Sequence, residues 1–235
     1  MGRTINHRAR KSADAGFSLI ELIIGMTITL GIVAISGALL AGSFNIRRRE
    51  NKRTEAVAAA QHALNYISRD IANAGFGLRK NGIVNEDSDA SSIRIRANLD
   101  AFSGTSGAGS LAQADEDIEY FLHKTDSDPD STKGELMRYD VNLQQSRLLV
   151  ANVDNFEIYY FAQKVNYTLD PAGGIVVTTP GVTEVDDQSN TTYIVMTLLF
   201  TLDAVGSPGS PGYQPATQVQ LATDVALRNR NLTNF

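Results

Sequence analysis

The stretch Gly16-Phe17-Ser18-Leu19-Ile20-Glu21 decides the fold of this chain. It opens an apolar run that extends from Phe17 to Phe44, and Glu21 is the single charged residue in that run. An ionised carboxylate at membrane depth is costly, so a lone one marks a functional site that needs a positive partner. The first question that the sequence raises is therefore what neutralises Glu21.

A short basic segment precedes the apolar run and suggests an answer. A cut after Gly16 would leave a free α-amino group on Phe17, four positions from Glu21, where it could neutralise the carboxylate. An ordinary secretory signal loses its apolar region on cleavage, whereas here the apolar region follows Gly16 and would stay in the mature chain. The basic residues of the segment are Arg3, Arg8, Arg10 and Lys11.

This arrangement resembles the class III signal of type IV prepilins and pseudopilins, in which a prepilin peptidase cuts between Gly and Phe and methylates the new N-terminus. The resemblance implies that Gly16 precedes the cut and that Phe17 becomes the N-methylated residue. It also implies that Glu21 is the carboxylate used in subunit assembly. The alternative is a plain membrane anchor that carries an accidental Glu near its end.

The apolar run predicts the first half of one long helix, because its 28 residues exceed the roughly 20 that cross a bilayer. No proline interrupts the chain from Phe17 to Gly75, so we expect a helix from Ser18 to Ala74, on the order of 85 Å long. The second half is amphipathic and should pack on a sheet. Its apolar stripe comprises Val57, Ala60, Leu64, Ile67, Ile71 and Ala74, and Gly75 and Gly77 supply the stop.

Glycines weaken the apolar half as a helix, each by roughly 1 kcal/mol relative to alanine. Two interpretations stay open: close packing of helices through small residues, or local melting around Gly25 to Gly37 when the subunit leaves the membrane, as pilin filaments suggest. The glycines are Gly25, Gly31, Gly37 and Gly42. The basic run that follows, Arg47 to Arg49, should touch lipid head groups at the outer interface or form a solvated helix face.

Beyond Gly77 the pattern changes to strands and loops. Alternating apolar and polar residues predict strands around 93–95 and 118–122, and the pattern continues at 135–141, 155–164 and 192–203. Loop signals lie at residues 103–109, 126–134, 171–174 and 207–212. A long helix followed by a mainly antiparallel sheet predicts an α+β fold, which is also the type IV pilin fold that the resemblance implies.

Composition limits how the head can be stabilised. The 235 residues include no cysteine, so packing alone must hold the head together. The first 16 residues hold four of the 21 basic and one of the 26 acidic residues, which leaves 17 basic, 25 acidic and a formal charge of −8 on the mature chain. Many major pilins close a C-terminal loop with a disulfide, so the lack of cysteine argues against the bulk fibre subunit.

The resemblance can be narrowed to PilW-type minor pilins. The segments that carry it are Ala58 to Leu78, IEYFLHK, ELMRYD, LLVANVDNFEIYYFA and the late VALRNRN. We expect a cleaved leader at 1–16, a transmembrane and assembly helix at 17–46, its amphipathic continuation at 47–76 and a periplasmic or extracellular β-rich head at 77–235. The J-type minor pseudopilins of type II secretion share this layout and are the alternative family.

The narrower resemblance implies a subunit that primes pilus assembly at the filament tip. Its partners would be the prepilin peptidase, other minor pilins, the major pilin and the inner-membrane assembly platform. It would reside in the bacterial inner membrane as a single-pass protein with a cytoplasmic N-terminus, and later in the pilus at the cell surface. A tip module for adhesion or ligand binding is a second class of function that stays open.

Enzymatic functions find little support in the sequence. It lacks the zinc-protease, nucleophile-elbow and phosphate-loop motifs. The alternate carboxylates of an acidic turn are a weak candidate for a Ca²⁺ site, with a solvated turn as the default. These carboxylates are Asp126, Asp128 and Asp130, and the three histidines are His7, His62 and His123, without zinc-site spacing. We expect no catalytic residue, no cofactor and no nucleic-acid partner.

Overall fold

The computed structural model describes residues 17–101, 111–124, 133–210 and 212–229. A single helix, α1, runs without a break from Leu19 to Asn73 over 55 residues, or about 80 Å at the rise of an α-helix. The predicted helix from Ser18 to Ala74 is therefore confirmed to within one residue at each end. Its two halves, one apolar and one amphipathic, belong to one continuous element.

Glycine ends the helix as the sequence predicts. Gly75 has a φ of +78°, a conformation that side chains with a Cβ rarely adopt. A Cβ added there would lie 2.6 Å from the carbonyl oxygen of Lys80, so the turn also needs glycine for space. The Gly75 amide donates to the carbonyl of Arg96 at 2.9 Å, which ties the end of the helix to the first strand.

The head contains two main sheets and one hairpin, all with antiparallel pairing. The first sheet has the order β1-β2-β3-β4, the second has β5-β8-β9, and β6 pairs with β7. The strands are β1 (Ser92–Arg96), β2 (Asp117–His123), β3 (Gly134–Asp140), β4 (Gln145–Val153), β5 (Asn155–Phe161), β6 (Tyr167–Leu169), β7 (Ile175–Val177), β8 (Tyr193–Leu202) and β9 (Thr217–Ala226). Short 3-10 turns lie at Asn85–Asp87 and Gln188–Asn190.

The α+β fold is confirmed, but the head contains two main sheets where the sequence predicts one. One residue, Asp154, carries the chain from β4 of the first sheet to β5 of the second. Its amide donates to the carbonyl of Leu199 in β8 at 2.9 Å. Because the corner is so short, the sequence around residues 145–161 reads as continuous, and the change of sheet has no turn signal of its own.

The amphipathic half of α1 forms one side of the core. Ala60, Ile67 and Ile71 are fully buried there, and this half contacts β4, β8 and β9. The predicted stripe is confirmed, with Val57 half-buried at its lower end. The sheets contribute large side chains to the same cluster, among them Tyr120, Phe156, Ile158, Met196 and Leu198.

A polar cluster fixes the upper part of α1 to the first sheet. The Tyr120 hydroxyl donates to Asp70 Oδ2 at 2.6 Å, and Arg138 Nε lies 3.9 Å from the same oxygen. Arg138 also donates to Asp115, and its guanidinium lies 5.9 Å from the centre of the Tyr66 ring. Burial, reinforced by the Asp70 charge, raises the pKa of Tyr120 well above its usual value, so the phenol remains a hydrogen-bond donor.

A second ion-pair group joins β1 to β2. Asp117 accepts from Arg94 at 2.7 and 2.8 Å and from Arg96 at 2.8 Å. Burial pushes the pKa of Asp117 up, but these bonds more than offset it and hold the pKa below its usual value. Arg94 also pairs with Asp87 at 2.7 Å. The group closes the edge of the first sheet next to the end of α1.

Candidate functional site: the uncovered half of the helix

The lower half of α1 has no covering within the described residues. Every residue from Phe17 to Ala41 is exposed, and Gly42 is the first buried position on the helix. An 18-residue window of α1 has a mean hydropathy of 2.2 with none of it buried. By length and composition this half of the helix can cross a membrane. Large side chains on it include Leu19, Ile20, Leu30, Ile35 and Leu39.

Phe17 and Glu21 lie together at the end of this half. Ser18 is extended, with φ −71° and ψ 140°, and the helix begins at Leu19, so Phe17 stands just outside it. Glu21 lies in the first turn, where unpaired backbone N–H groups favour a negative charge. Both residues border one shallow groove on the helix surface, together with Leu22, Gly25, Met26 and Thr29. The groove brings the predicted N-methylated residue and the predicted assembly carboxylate to one face.

The described residues provide Glu21 with no ion-pair partner. Downstream, the next basic residue in the sequence is Arg47, 26 positions away and about 39 Å along a helix. Gly16 and the basic segment lie outside the described residues, so cleavage and methylation remain predictions. Within the described residues, no basic side chain therefore lies near enough along the helix to pair with Glu21.

Three hydroxyl side chains on this half or just beyond it donate to carbonyls of their own helix. Thr27 donates to the carbonyl of Ile24 at 2.8 Å, Thr29 to that of Gly25 at 2.7 Å and Ser43 to that of Leu39 at 3.1 Å. Such bonds allow hydroxyls to enter an apolar environment without an open donor. Glu21 is the one charged side chain of this half, and the described residues offer it no compensating charge.

The basic residues that follow this half differ in exposure: two face solvent and one faces the head. Arg47 and Arg48 are exposed, as the sequence predicts, but Arg49 is buried. Arg49 Nη2 donates to the hydroxyl of Thr217, the first residue of β9, at 2.5 Å. The expectation that all three arginines face lipid or solvent is therefore wrong for Arg49, because the helix turns this position towards the head.

The other predicted candidates contribute no site in the described part of the chain. Asp126, Asp128 and Asp130 lie outside the described residues, as do most of the loops predicted at 103–109 and 126–134. Within the described ranges, no group of three acidic or histidine side chains could hold a metal. The two histidines in those ranges, His62 and His123, are exposed.

Sequence reasoning missed the cluster of Asp70, Tyr120 and Arg138. One signal was available, since Leu136, Arg138 and Asp140 occupy alternate positions of β3 and all three are buried. A strand that turns charged residues inward indicates ionic partners there.

Comparison with known proteins gives a similarity in structure but none in sequence. No protein-family model matches the chain, and a search of curated proteins finds no match. A type IV-like pilin from Thermus thermophilus is similar in structure, with 8% sequence identity and a TM-score of 0.42, over 74% of this chain and 96% of that chain. A similarity of this size does not determine the function.

Proposed function

We propose that this chain is a structural subunit of a type IV pilus, a PilW-type minor pilin that primes assembly at the filament tip. The observation that carries the proposal is the uncovered apolar half of α1, with Glu21 as its one charge. A bilayer covers this half before assembly, and the apolar helices of neighbouring subunits cover it in the filament. The folded head remains outside in both states.

The assembly step that we propose transfers Glu21 from one apolar environment to another. The prepilin peptidase cuts after Gly16 and methylates Phe17, and the new amine pairs with Glu21 of its own or a neighbouring chain. Both groups border the same groove, which supports a pairing of this kind. Removing one member of a buried opposite-charge pair costs on the order of 3–5 kcal/mol, so subunits without Glu21 would be left out of filaments.

The decisive experiment compares Glu21→Gln with Leu22→Ala. Glu21→Gln keeps the shape of the side chain and removes its charge, whereas Leu22→Ala changes an exposed apolar residue of the same groove. We expect both variants to be processed to Phe17, as shown by mass spectrometry. Glu21→Gln should be lost from purified filaments, and Leu22→Ala should be retained.

Two outcomes would contradict the proposal. Normal incorporation of Glu21→Gln would remove the role of the carboxylate, and an intact N-terminus in cells with an active prepilin peptidase would remove the processing step. Deleting the gene should reduce surface pili and leave the major pilin in the inner membrane. If deletion instead leaves pili intact and blocks export of folded periplasmic proteins, the chain is a minor pseudopilin of type II secretion.

A further inference from the structure

The connection between β8 and β9 descends along α1 far below the core. Gly212 lies against Gly42, so closely that a Cβ added to Gly212 would be 2.5 Å from the Gly42 Cα. The first helix residue that is fully buried in the core is Ala60, 18 positions and about 27 Å further along the helix. The connection is thus a separate contact between head and helix, at the boundary of the uncovered half.

Backbone hydrogen bonds give this connection a defined shape. Val205 and Gln214 exchange two bonds of 3.0 Å each, and the Ser210 amide donates to the carbonyl of Ser207 at 3.0 Å. The Ser210 hydroxyl donates to the same carbonyl at 2.6 Å. We call the described residues 205–210 and 212–214 the collar loop. It is a hairpin held on the helix.

The length of the uncovered half determines where the collar loop lies relative to a bilayer. From Phe17 to Ala41 there are 25 residues, about 37 Å of helix, while the hydrocarbon core of a bilayer is about 30 Å thick. With this half in the membrane, Gly42 lies just beyond the hydrocarbon, in the headgroup layer. The collar loop, which touches Gly42, is then at the same level.

The charge of the collar loop fits that position. The mature chain carries −8 in total, but the sequence from Ala204 to Ala216 has no charged residue. The exposed Arg47 and Arg48 lie about one and a half turns above Gly42 on the helix and suit an anionic surface. In the described residues next to Gly42, the acidic head therefore presents an uncharged loop beside two exposed cations of the helix. Tyr213 is half-buried in the collar loop, and tyrosine is favoured at membrane interfaces.

We propose that the collar loop docks on the phospholipid headgroup layer and sets the height of the head above the membrane. The inference rests on the proposed function, because it requires the uncovered half of α1 to lie in a bilayer. The close Gly212–Gly42 contact holds the loop at that level. It depends on glycine, because a side chain at Gly212 would push the loop away from the helix.

Single tryptophans test the docking, because the chain has none of its own. The full chain is placed in vesicles of phosphatidylethanolamine and phosphatidylglycerol that carry a nitroxide either on the headgroup or deep on the acyl chain. Tyr213→Trp reports on the collar loop, Ile32→Trp on the helix, and Tyr139→Trp is the control. Tyr139 is also a half-buried tyrosine, beside Arg138 and the Asp70 end of α1.

We expect the headgroup nitroxide to quench most of the emission of Tyr213→Trp and little of that of Tyr139→Trp. The deep nitroxide should quench Ile32→Trp most. If Ile32→Trp is quenched as expected but Tyr213→Trp behaves like Tyr139→Trp, the docking is wrong and the membrane placement stands. If neither nitroxide quenches Ile32→Trp, the membrane placement and the docking both fail.

A pair of glycine variants tests what holds the loop in place. Gly209 and Gly212 have similar φ values of +85° and +78°, but only a Cβ at Gly212 meets another atom within 4 Å. In the Tyr213→Trp background, Gly212→Ala should lower the quenching by the headgroup nitroxide, and Gly209→Ala should leave it unchanged. Equal quenching in both variants would show that the Gly42 contact does not hold the loop.

Discussion

Residues 19–41 and 56–73 belong to the same unbroken helix but depend on different surroundings. The upper part presents one apolar stripe, which the sheets cover, and polar residues occupy its other faces. The lower part is apolar on all sides and exposed throughout. A helix that is apolar all round is stable only when something surrounds it. The difference shows that the head folds on the upper half, whereas the lower half requires a membrane or other helices.

The largest expected effect separates the two halves by matched substitutions. Ile67→Ala removes a fully buried side chain from the core and should lower the free energy of unfolding of the head by about 2–5 kcal/mol. Ile32→Ala, at an exposed position, should change it by less than about 0.5 kcal/mol. Guanidinium unfolding of the full chain in detergent micelles, followed by near-ultraviolet circular dichroism, measures both. Equal losses would show that the halves are not independent.

A second prediction compares how the head and the lower half of α1 respond to pH. Glu21 is the only titratable side chain of the lower half, whereas the head contains buried ion pairs such as that of Asp117. At neutral pH, Asp117→Asn should destabilise the head by about 3 kcal/mol, the low end for a broken buried pair. The loss is at the low end because Arg94 retains its ion pair with Asp87 in the variant. The folded pKa of Asp117 is lowered, so its contribution is present above the unfolded pKa and lost as pH falls through the folded one.

The unfolding free energies of the wild type and Asp117→Asn should therefore converge as pH falls below about 4. A gap that stays constant down to acid pH would show that the side-chain shape of Asp117 matters and its charge does not. Circular dichroism of the lower half of α1 in detergent micelles should change little over the same range.

The smallest expected effect lies at the boundary between the halves. Thr217→Val removes the hydroxyl that Arg49 uses and should cost the head about 1 kcal/mol. Thr54→Val is the control, because Thr54 is exposed and its hydroxyl bonds only to Glu50 of its own helix. Hydrogen exchange of the amides at 46–50 should increase in Thr217→Val alone. If both variants behave alike, Arg49 does not connect the helix to the head.

The sequence predicted features that depend on local periodicity. The helix, its glycine stop and five strands follow from spacing and turn residues. It did not predict β4, β6, β7 or β9. Two of these have three residues each, too short for alternation to register, while β9 mixes Gln218, Gln220 and Asp224 with its apolar residues and is partly exposed along its length. Strands of this kind gain their stability from neighbours that the local sequence does not reveal.

The same limit applies to the sites. Glu21 stood out because a single carboxylate in an apolar run is visible in the sequence alone. The contact of Gly42 with Gly212 joins residues 170 positions apart, and the cluster of Asp70, Tyr120 and Arg138 joins three separate elements. Such contacts depend on strand register and on how the sheet sits on the helix, which no local pattern records.

Because α1 is unbroken, it also fixes the angle around the helix axis between Glu21 and the Asp70 cluster. Each residue of an α-helix advances the chain by about 100° around the axis and 1.5 Å along it. One residue inserted into the exposed stretch 51–55 would therefore rotate Glu21 by about 100° relative to the Asp70 cluster, whereas a seven-residue insertion would rotate it by only about 20°. The direction in which the head faces relative to Glu21 is thus set by the number of residues between Glu21 and Asp70.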